Sequence, residues 1–308
     1  MNPPYSKRPL LLPEQISLLQ KRGVIIEDKS FAERVLSNVG YYRFSAYLYP
    51  FRKNDGTDDF FPGTSFQKCW EYYHFDRKLR LCVLDAVERV EVAIKAQVAY
   101  TLSTQYGPFS YRNLAYLKDN PKQEDVKRYK ALLHFVEEET TNSQEEFVKH
   151  FLQNYDSRSG LPIWMAVGVM SFGNIFTLFH LMKKKDQDII ARAFGSNEKV
   201  FLSWLRHLHY IRNICAHHGR LWNRFFAIKA VLPKDSRKNP SSRWHEAQYP
   251  VNTASIYSTL CIFKALLDVI TPQSQWKLRV YALMDEFPNS PRAPMGIPNG
   301  FEQSAIWK

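Results

Sequence analysis

The sequence predicts an all-α fold. Apolar residues recur at spacings of three and four through most of the chain, no stretch alternates polar and apolar over a useful strand length, and no glycine-rich phosphate loop appears. The longest helical pattern, residues 65–106, puts Phe75, Leu79, Val83, Ala86, Val90, Ala93 and Ile94 on one face. Arg77, Leu84, Glu88, Glu91 and Lys95 line the opposite face. At 308 residues with 45% hydrophobic content the chain can fill a real core, as one large domain or two modest ones. We expect a small helical N-terminal lobe at 1–62, a helical core at 63–287 and an extended, irregular C-terminal tail at 288–308.

The elements follow in order. Residues 1–13 are proline-rich and read as extended. A short helix follows from Leu12, with Pro13 tolerated in its first turn and Gly23 as its stop. A second runs over 28–39, capped by Asp28 or Ser30 and ended by Gly40. The segment after it interleaves Tyr41, Tyr42, Phe44, Tyr47 and Tyr49 with Arg43, Arg52 and Lys53. It reads either as an RNA-facing surface that stacks bases and touches phosphates, or as a packing helix with half-buried tyrosines. Residues 53–64 hold turn formers and are the expected hinge. Gly107-Pro108 ends the long helix, and 110–160 read as two peripheral amphipathic helices whose run Glu137-Glu138-Glu139 is a solvated face. The very apolar 161–182 reads as a buried helix, or two broken at Ser171-Phe172-Gly173-Asn174, rather than a membrane span. His180 reads as a core or helix-end residue, and Lys183-Lys184-Lys185 suits a helix C-terminus. Residues 186–200 form a short helix, 233–250 a basic loop, 252–270 and 273–287 two further helices. The tail is expected to wrap over the surface, anchored by Phe301 and Trp307.

Lysine and arginine outnumber aspartate and glutamate by 42 to 30, a net charge of +12, which favours polyanions such as RNA. Aromatic side chains, 15% of the chain, add groups able to stack on unpaired bases, though most belong to the core. Cys69, Cys82, Cys215 and Cys261 are far apart and form no C-x-x-C pair, so reduced, buried thiols are expected rather than a zinc ribbon or disulfides. No signal-peptide core and no run of eighteen apolar residues occurs, which points to a cytoplasmic protein without membrane contact. No metal or other cofactor is expected.

The chain is organised around residues 201–224, which combine Arg206, Arg212, Arg220 and Arg224 with four histidines. Read as one helix, the stretch puts Phe201, Trp204, Leu205, Leu208, Ile211 and Cys215 on a core face. Arg206, His209, Asn213, His217 and Arg220 form a polar line on the other side. An imidazole titrates near neutrality and a guanidinium grips phosphate oxygens in two places, so the pair suits RNA cleavage. In that reaction a ribose 2′-OH attacks the neighbouring phosphate. A base takes the proton, an acid protonates the leaving 5′-oxygen and a cation steadies the developing charge. On an ideal helix Arg212 and His217 are about 140° apart. Two copies about a two-fold axis would bring one Arg and two His into a shared cleft, so a homodimer is expected.

The segment RNICAHHGRLWNR resembles the signature of the Abi-like abortive-infection proteins, the AbiD/AbiF group of bacterial phage-defence factors. Its R-N-x-x-x-H portion is similar to the R-x4-6-H motif of HEPN ribonucleases. The resemblance extends through GYYRFSAYLYPFR at 40–52, FDRKLRLCVLDAVERVEVAIKA at 75–96, LPIWMAVGVMSFG at 161–173, and MGIP with a late Trp at 295–307. It implies a HEPN-like helical bundle, metal-independent RNA cleavage or RNA binding, a role in growth arrest or phage resistance and, for some relatives, a small non-coding RNA partner. Arg212, Asn213 and His217 match the motif positions, and His218, Arg220, Trp222, Asn223 and Arg224 continue it. The chain departs from the pattern at Gly168, where the family often carries an acidic residue.

The leading expectation is an RNA-acting protein with Arg212 gripping phosphate, Asn213 positioning the site and His217 as general acid or base. His209 and His218 support them, and Glu88 and Glu91 either orient a catalytic His or Arg or pair with surface cations. Tyr41, Tyr42, Arg43, Arg220, Trp222, Asn223, Arg224, Lys234, Arg237 and Lys238 are candidate RNA contacts, with Arg243 in the same basic loop. A second reading has the protein hold a structured non-coding RNA without cutting it. A metal-dependent hydrolase using His207, His209, His217 or His218 ranks last, since no carboxylate lies at ligand spacing beside them.

Overall fold

The computed structural model describes residues 4, 6, 8–233, 244, 252–290 and 292–308. Among these the protein is all-α, with two isolated β-bridges. The helices are α1 (Leu12–Lys21), α2 (Lys29–Val39), α3 (Tyr41–Leu48), α4 (Phe66–Tyr106), α5 (Leu114–Leu117), α6 (Gln123–Asn142) and α7 (Glu146–Asn154). They continue as α8 (Ile163–Val169), α9 (Phe172–Leu181), α10 (Lys184–Ala193), α11 (Glu198–Ala216), α12 (Ile256–Ile270) and α13 (Trp276–Glu286). The chain divides into two compact units, Met1–Leu79 with Ala282–Ser290, and Arg80–Tyr281 with Pro291–Lys308. The division falls inside α4 and α13 rather than at the turn residues around position 62.

In the first unit α2 begins as its sequence suggests, with the Asp28 carboxylate accepting the Phe31 N–H at 2.8 Å. It ends at Gly40, whose φ of 82° a residue with a Cβ rarely adopts, and α3 starts directly after it. Phe44 and Phe66 meet at 4.4 Å between centroids in a core shared with Leu19, Val35 and Leu36. Each such side chain contributes about 1.5–3 kcal/mol by leaving water. Tyr47 donates to the buried carboxylate of Asp76 at 2.6 Å, joining α3 to α4. Residues 53–64 differ from the expected hinge. Arg52 bridges to Phe60 and Ile25 to Ser65, and Asp58 binds both Arg22 and Arg52, so the loop is tied at several points. The turn formers supply tight bends rather than a joint.

In the second unit every residue from Ile256 to Leu267 is buried, the pattern of a helix covered on all sides. Of the apolar face of α4, Val83, Ala86, Val90 and Ile94 are buried here as their spacing requires and Ala93 is half-buried, while Phe75 and Leu79 are buried in the first unit. The apolar 161–182 is broken into α8 and α9 at Ser171, whose hydroxyl accepts the Asn174 N–H while Asn174 Oδ1 accepts the Ser171 N–H. Helix α9 packs against α6 and α11, and α10 against α11. His180 sits in the last turn of α9, 3.7 Å from Asp125.

The triple lysine does not close a helix. Met182 turns the chain out at the end of α9, Lys183 caps α10, and Lys184 and Lys185 fall in its first turn. Cations there oppose the helix dipole. They are offset by Asp186 in the same turn, by Asp119 at 3.0 Å from Lys183, and by the Tyr106 ring 5.5 Å from Lys185.

All four cysteines are free and buried, and burial pushes the Cys69 thiol up to about 12. No helix among the described residues is long and apolar enough to cross a membrane. The tail carries two short 3-10 turns, Ala293–Met295 and Phe301–Gln303, and its anchors lie inside the unit rather than over it. Trp307 is 1% exposed, stacks on Trp276 at 6.3 Å and meets Phe301 at 5.1 Å. Trp307→Ala is therefore expected to cost about 3–5 kcal/mol in urea unfolding. A loss below about 1 kcal/mol would mean that the tail only rests on the surface.

Candidate functional site

Helix α11 opens at Asn197, whose side chain accepts the Val200 N–H at 3.1 Å. Phe201, Trp204, Leu205, Leu208, Ile211 and Cys215 are all buried, as their spacing requires. The helix stops at Ala216, however, and does not continue to residue 224. The Gly219 N–H bonds the Ile214 carbonyl at 2.7 Å and the His218 N–H bonds the Cys215 carbonyl at 3.0 Å, the paired pattern of a Schellman turn. His218 takes the left-handed position at φ 57°, where glycine is usual. A side chain there costs about 1–2 kcal/mol. The helical phase is lost at the turn, so Arg220 does not extend the line of Arg206, His209, Asn213 and His217.

What the helix end presents is compact. His217 and His218 are exposed, while Arg212 and Asn213 are half-buried. In helical projection Asn213 lies between His209 and His217, and Arg212 flanks them on the opposite side. Arg212 Nη1 donates to Asn213 Oδ1 at 3.4 Å, and Asn213 Nδ2 stands 3.2 Å from His209 Nε2. The His209 ring packs on α9, with Phe172 and Phe176 at 6.2 and 6.5 Å. A Cβ at Gly173 would stand 3.0 Å from His209 Nε2, so only glycine leaves the ring its present place. Burial, then the Arg212 charge, pushes the His209 pKa down, and Glu91 pulls it up. Glu91 also pairs with Lys95 at 2.9 Å, whereas Glu88 is exposed.

Two arginines flank the turn. Arg80 of α4, 5% exposed, has Nη1 3.4 Å from the Gly219 carbonyl. Exposed Arg224 lies beside Gly219, its Nη1 3.4 Å from where a Cβ would sit. The sequence assigns no place in the site to Arg80 or Phe176, and Gly173 reads there only as part of a break in the apolar run. The signal for Arg80 is a charge at a position that the three-and-four spacing assigns to the apolar side of α4, beside Leu79 and Val83.

The other expected contacts are distributed unevenly. Arg220 and Asn223 are half-buried, but Trp222 is 1% exposed and belongs to the core, so it offers no face for stacking. In the first unit Tyr42 is 82% exposed, Tyr41 is half-buried with its hydroxyl 3.4 Å from Arg22 Nη1, and Arg43 lies over the Tyr73 ring at 5.9 Å. Tyr41 and Tyr42 line a cavity of about 690 Å³ with Arg8, Gln15 and Arg22. Lys234, Arg237, Lys238 and Arg243 lie outside the described residues.

His207 has a structural role. Its Nδ1 bonds the Ile228 carbonyl at 2.6 Å, which places a proton there, and its Nε2 stands 2.8 Å from the Thr259 hydroxyl, while burial pushes its pKa down and favours the neutral ring. Among the described residues no group of three His, Cys, Asp or Glu could hold a metal ion. Gly168, the departure noted above, lies on α8 under the Phe147 ring, which a Cβ would meet at 3.1 Å.

Residues 34–223, more than half of the chain, match the family described as Abi-like protein. The chain belongs to that family. The family suggests abortive infection, a form of phage defence, as its setting. The matched span includes the Tyr41–Arg43 segment and α11 with its turn as far as Asn223. No curated protein and no solved structure matches the chain.

The left-handed histidine gives a direct test of the turn. His218→Gly is expected to raise stability by up to about 1 kcal/mol and His218→Val to lower it by about 1–2 kcal/mol, read as shifts in melting temperature. A valine variant as stable as wild type would mean that the turn holds no strain.

Proposed function

We propose that this Abi-like protein acts on RNA as a metal-independent endoribonuclease of the HEPN type, working as a homodimer. The observation that carries the reading is the end of α11, where exposed His217 shares one helix terminus with Arg212 and the rigid His218 turn. Arg212 binds the scissile phosphate and stabilises the charge that grows on it. His217 removes the 2′-OH proton as the oxygen attacks phosphorus. The 5′-oxygen leaves with a proton from a second imidazole, giving a 2′,3′-cyclic phosphate and a free 5′-hydroxyl. His217 of a second copy, related by a two-fold axis, is the natural donor because an isologous interface pairs identical patches. Arg224 and Arg220 extend the cationic surface around the turn, consistent with a net charge of +12.

A second reading, that the protein holds a small non-coding RNA without cutting it, is favoured by one feature. Gly168 packs under Phe147 and brings no carboxylate to α8.

His217→Ala is expected to slow RNA cleavage and relieve growth arrest by about 10²–10⁴-fold, with unchanged helical content and melting temperature. Arg212→Ala should act similarly, cleavage should survive EDTA, and light scattering should give a dimer mass. A folded His217→Ala protein that cuts as fast as wild type sinks the proposal. Copurified RNA with unbroken ends favours the second reading.

A further inference from the structure

The amide of Asn213 has a donor side and an acceptor side, and its neighbours decide which way it faces. A guanidinium only donates, so the atom 3.4 Å from Arg212 Nη1 is the acceptor Oδ1. That leaves the donor Nδ2 3.2 Å from His209 Nε2. The contact is a hydrogen bond only if Nε2 carries no proton, which puts the ring in its neutral form with the proton on Nδ1. We infer that His209 is a positioning residue whose bare Nε2 fixes the Asn213 amide, which in turn holds the Arg212 guanidinium toward the phosphate. The role of Arg212 rests on the ribonuclease reading, whereas the relay that holds it rests on local geometry.

The surroundings of His209 support this arrangement. On the α9 side the ring meets Phe172, Gly173 and Phe176, with His180 also packed on Phe176 at 6.3 Å. From α4 the charge that acts on it is Glu91, already paired with Lys95, and from its own helix it is Arg212. Partial burial and the neighbouring guanidinium favour the neutral ring over the pull of Glu91. Protonation would set an N–H against the amide N–H. The amide would then have to turn, presenting Nδ2 to a guanidinium that also only donates. Arg212 therefore loses its support as pH falls through the His209 pKa, which lies below the ordinary imidazole value.

Two variants and one spectrum test the relay. His209→Phe keeps a ring against Phe172 and Phe176 but has no acceptor, and RNA cleavage should fall by about 10- to 100-fold. His209→Gln places an amide oxygen near the Nε2 position and should cut close to the wild-type rate. Its fall in rate on acidification should be shallower, because one titrating group is gone. A phenylalanine variant that cuts at the wild-type rate, or a glutamine variant with an unchanged acid limb, overturns the inference. Long-range proton–nitrogen NMR of the histidine-labelled wild-type chain reads the tautomer without any cleavage. Nδ1–H at neutral pH is expected, and Nε2–H overturns the relay. A wild-type protein with the Nδ1–H tautomer that cuts no RNA refutes the ribonuclease reading and leaves the relay standing.

Discussion

The termination of α11 is the constraint on which the candidate site depends. Two hydrogen bonds, from Gly219 to Ile214 and from His218 to Cys215, close the helix within one turn, and they require a left-handed residue where histidine stands. The helix stops at Ala216, and both imidazoles stand exposed at the end of a helix whose other face is buried. Polar groups carried at the edge of a packed core are held in register by it.

The site sorts its charges by burial. Arg80 is inside, against the carbonyl of Gly219, and Arg224 is outside, beside the same residue. A buried guanidinium is tolerated only where acceptors meet it, so Arg80 supports the turn, while Arg224 faces solvent. The histidines divide likewise. His207 is buried and held by a carbonyl and a hydroxyl, His209 is half-enclosed between aromatic rings and an amide, and His217 and His218 face solvent. Four imidazoles within twelve residues thus occupy three chemical environments.

Much of the helical architecture was legible because it rests on local rules. Asp28 capping α2, Gly40 ending it, Ser171 breaking the apolar run and the three-and-four spacing of α4 and α11 all act within a few residues of themselves. The errors came where the deciding partner is distant or the local rule has two outcomes. The lysines at 183–185 follow one helix and precede another, and only the backbone at Met182 decides which dipole they meet. Residues 53–64 look like a hinge until Arg22 reaches Asp58 from thirty-six positions away. Trp222 reads equally as a stacking platform or as core, and burial assigns it to the core.

From its sequence alone the protein was determined to be helical, basic and built around an arginine- and histidine-rich helix, because periodicity, charge and motif spacing are properties of neighbouring residues. Only the tertiary structure decided that this helix ends at Ala216, that Arg80 comes from α4 to the carbonyl of Gly219 just beyond it, and that Gly173 leaves room for the His209 ring against α9. Those outcomes depend on which surfaces meet across tens to hundreds of residues of chain, and on the few ångströms of space left between them.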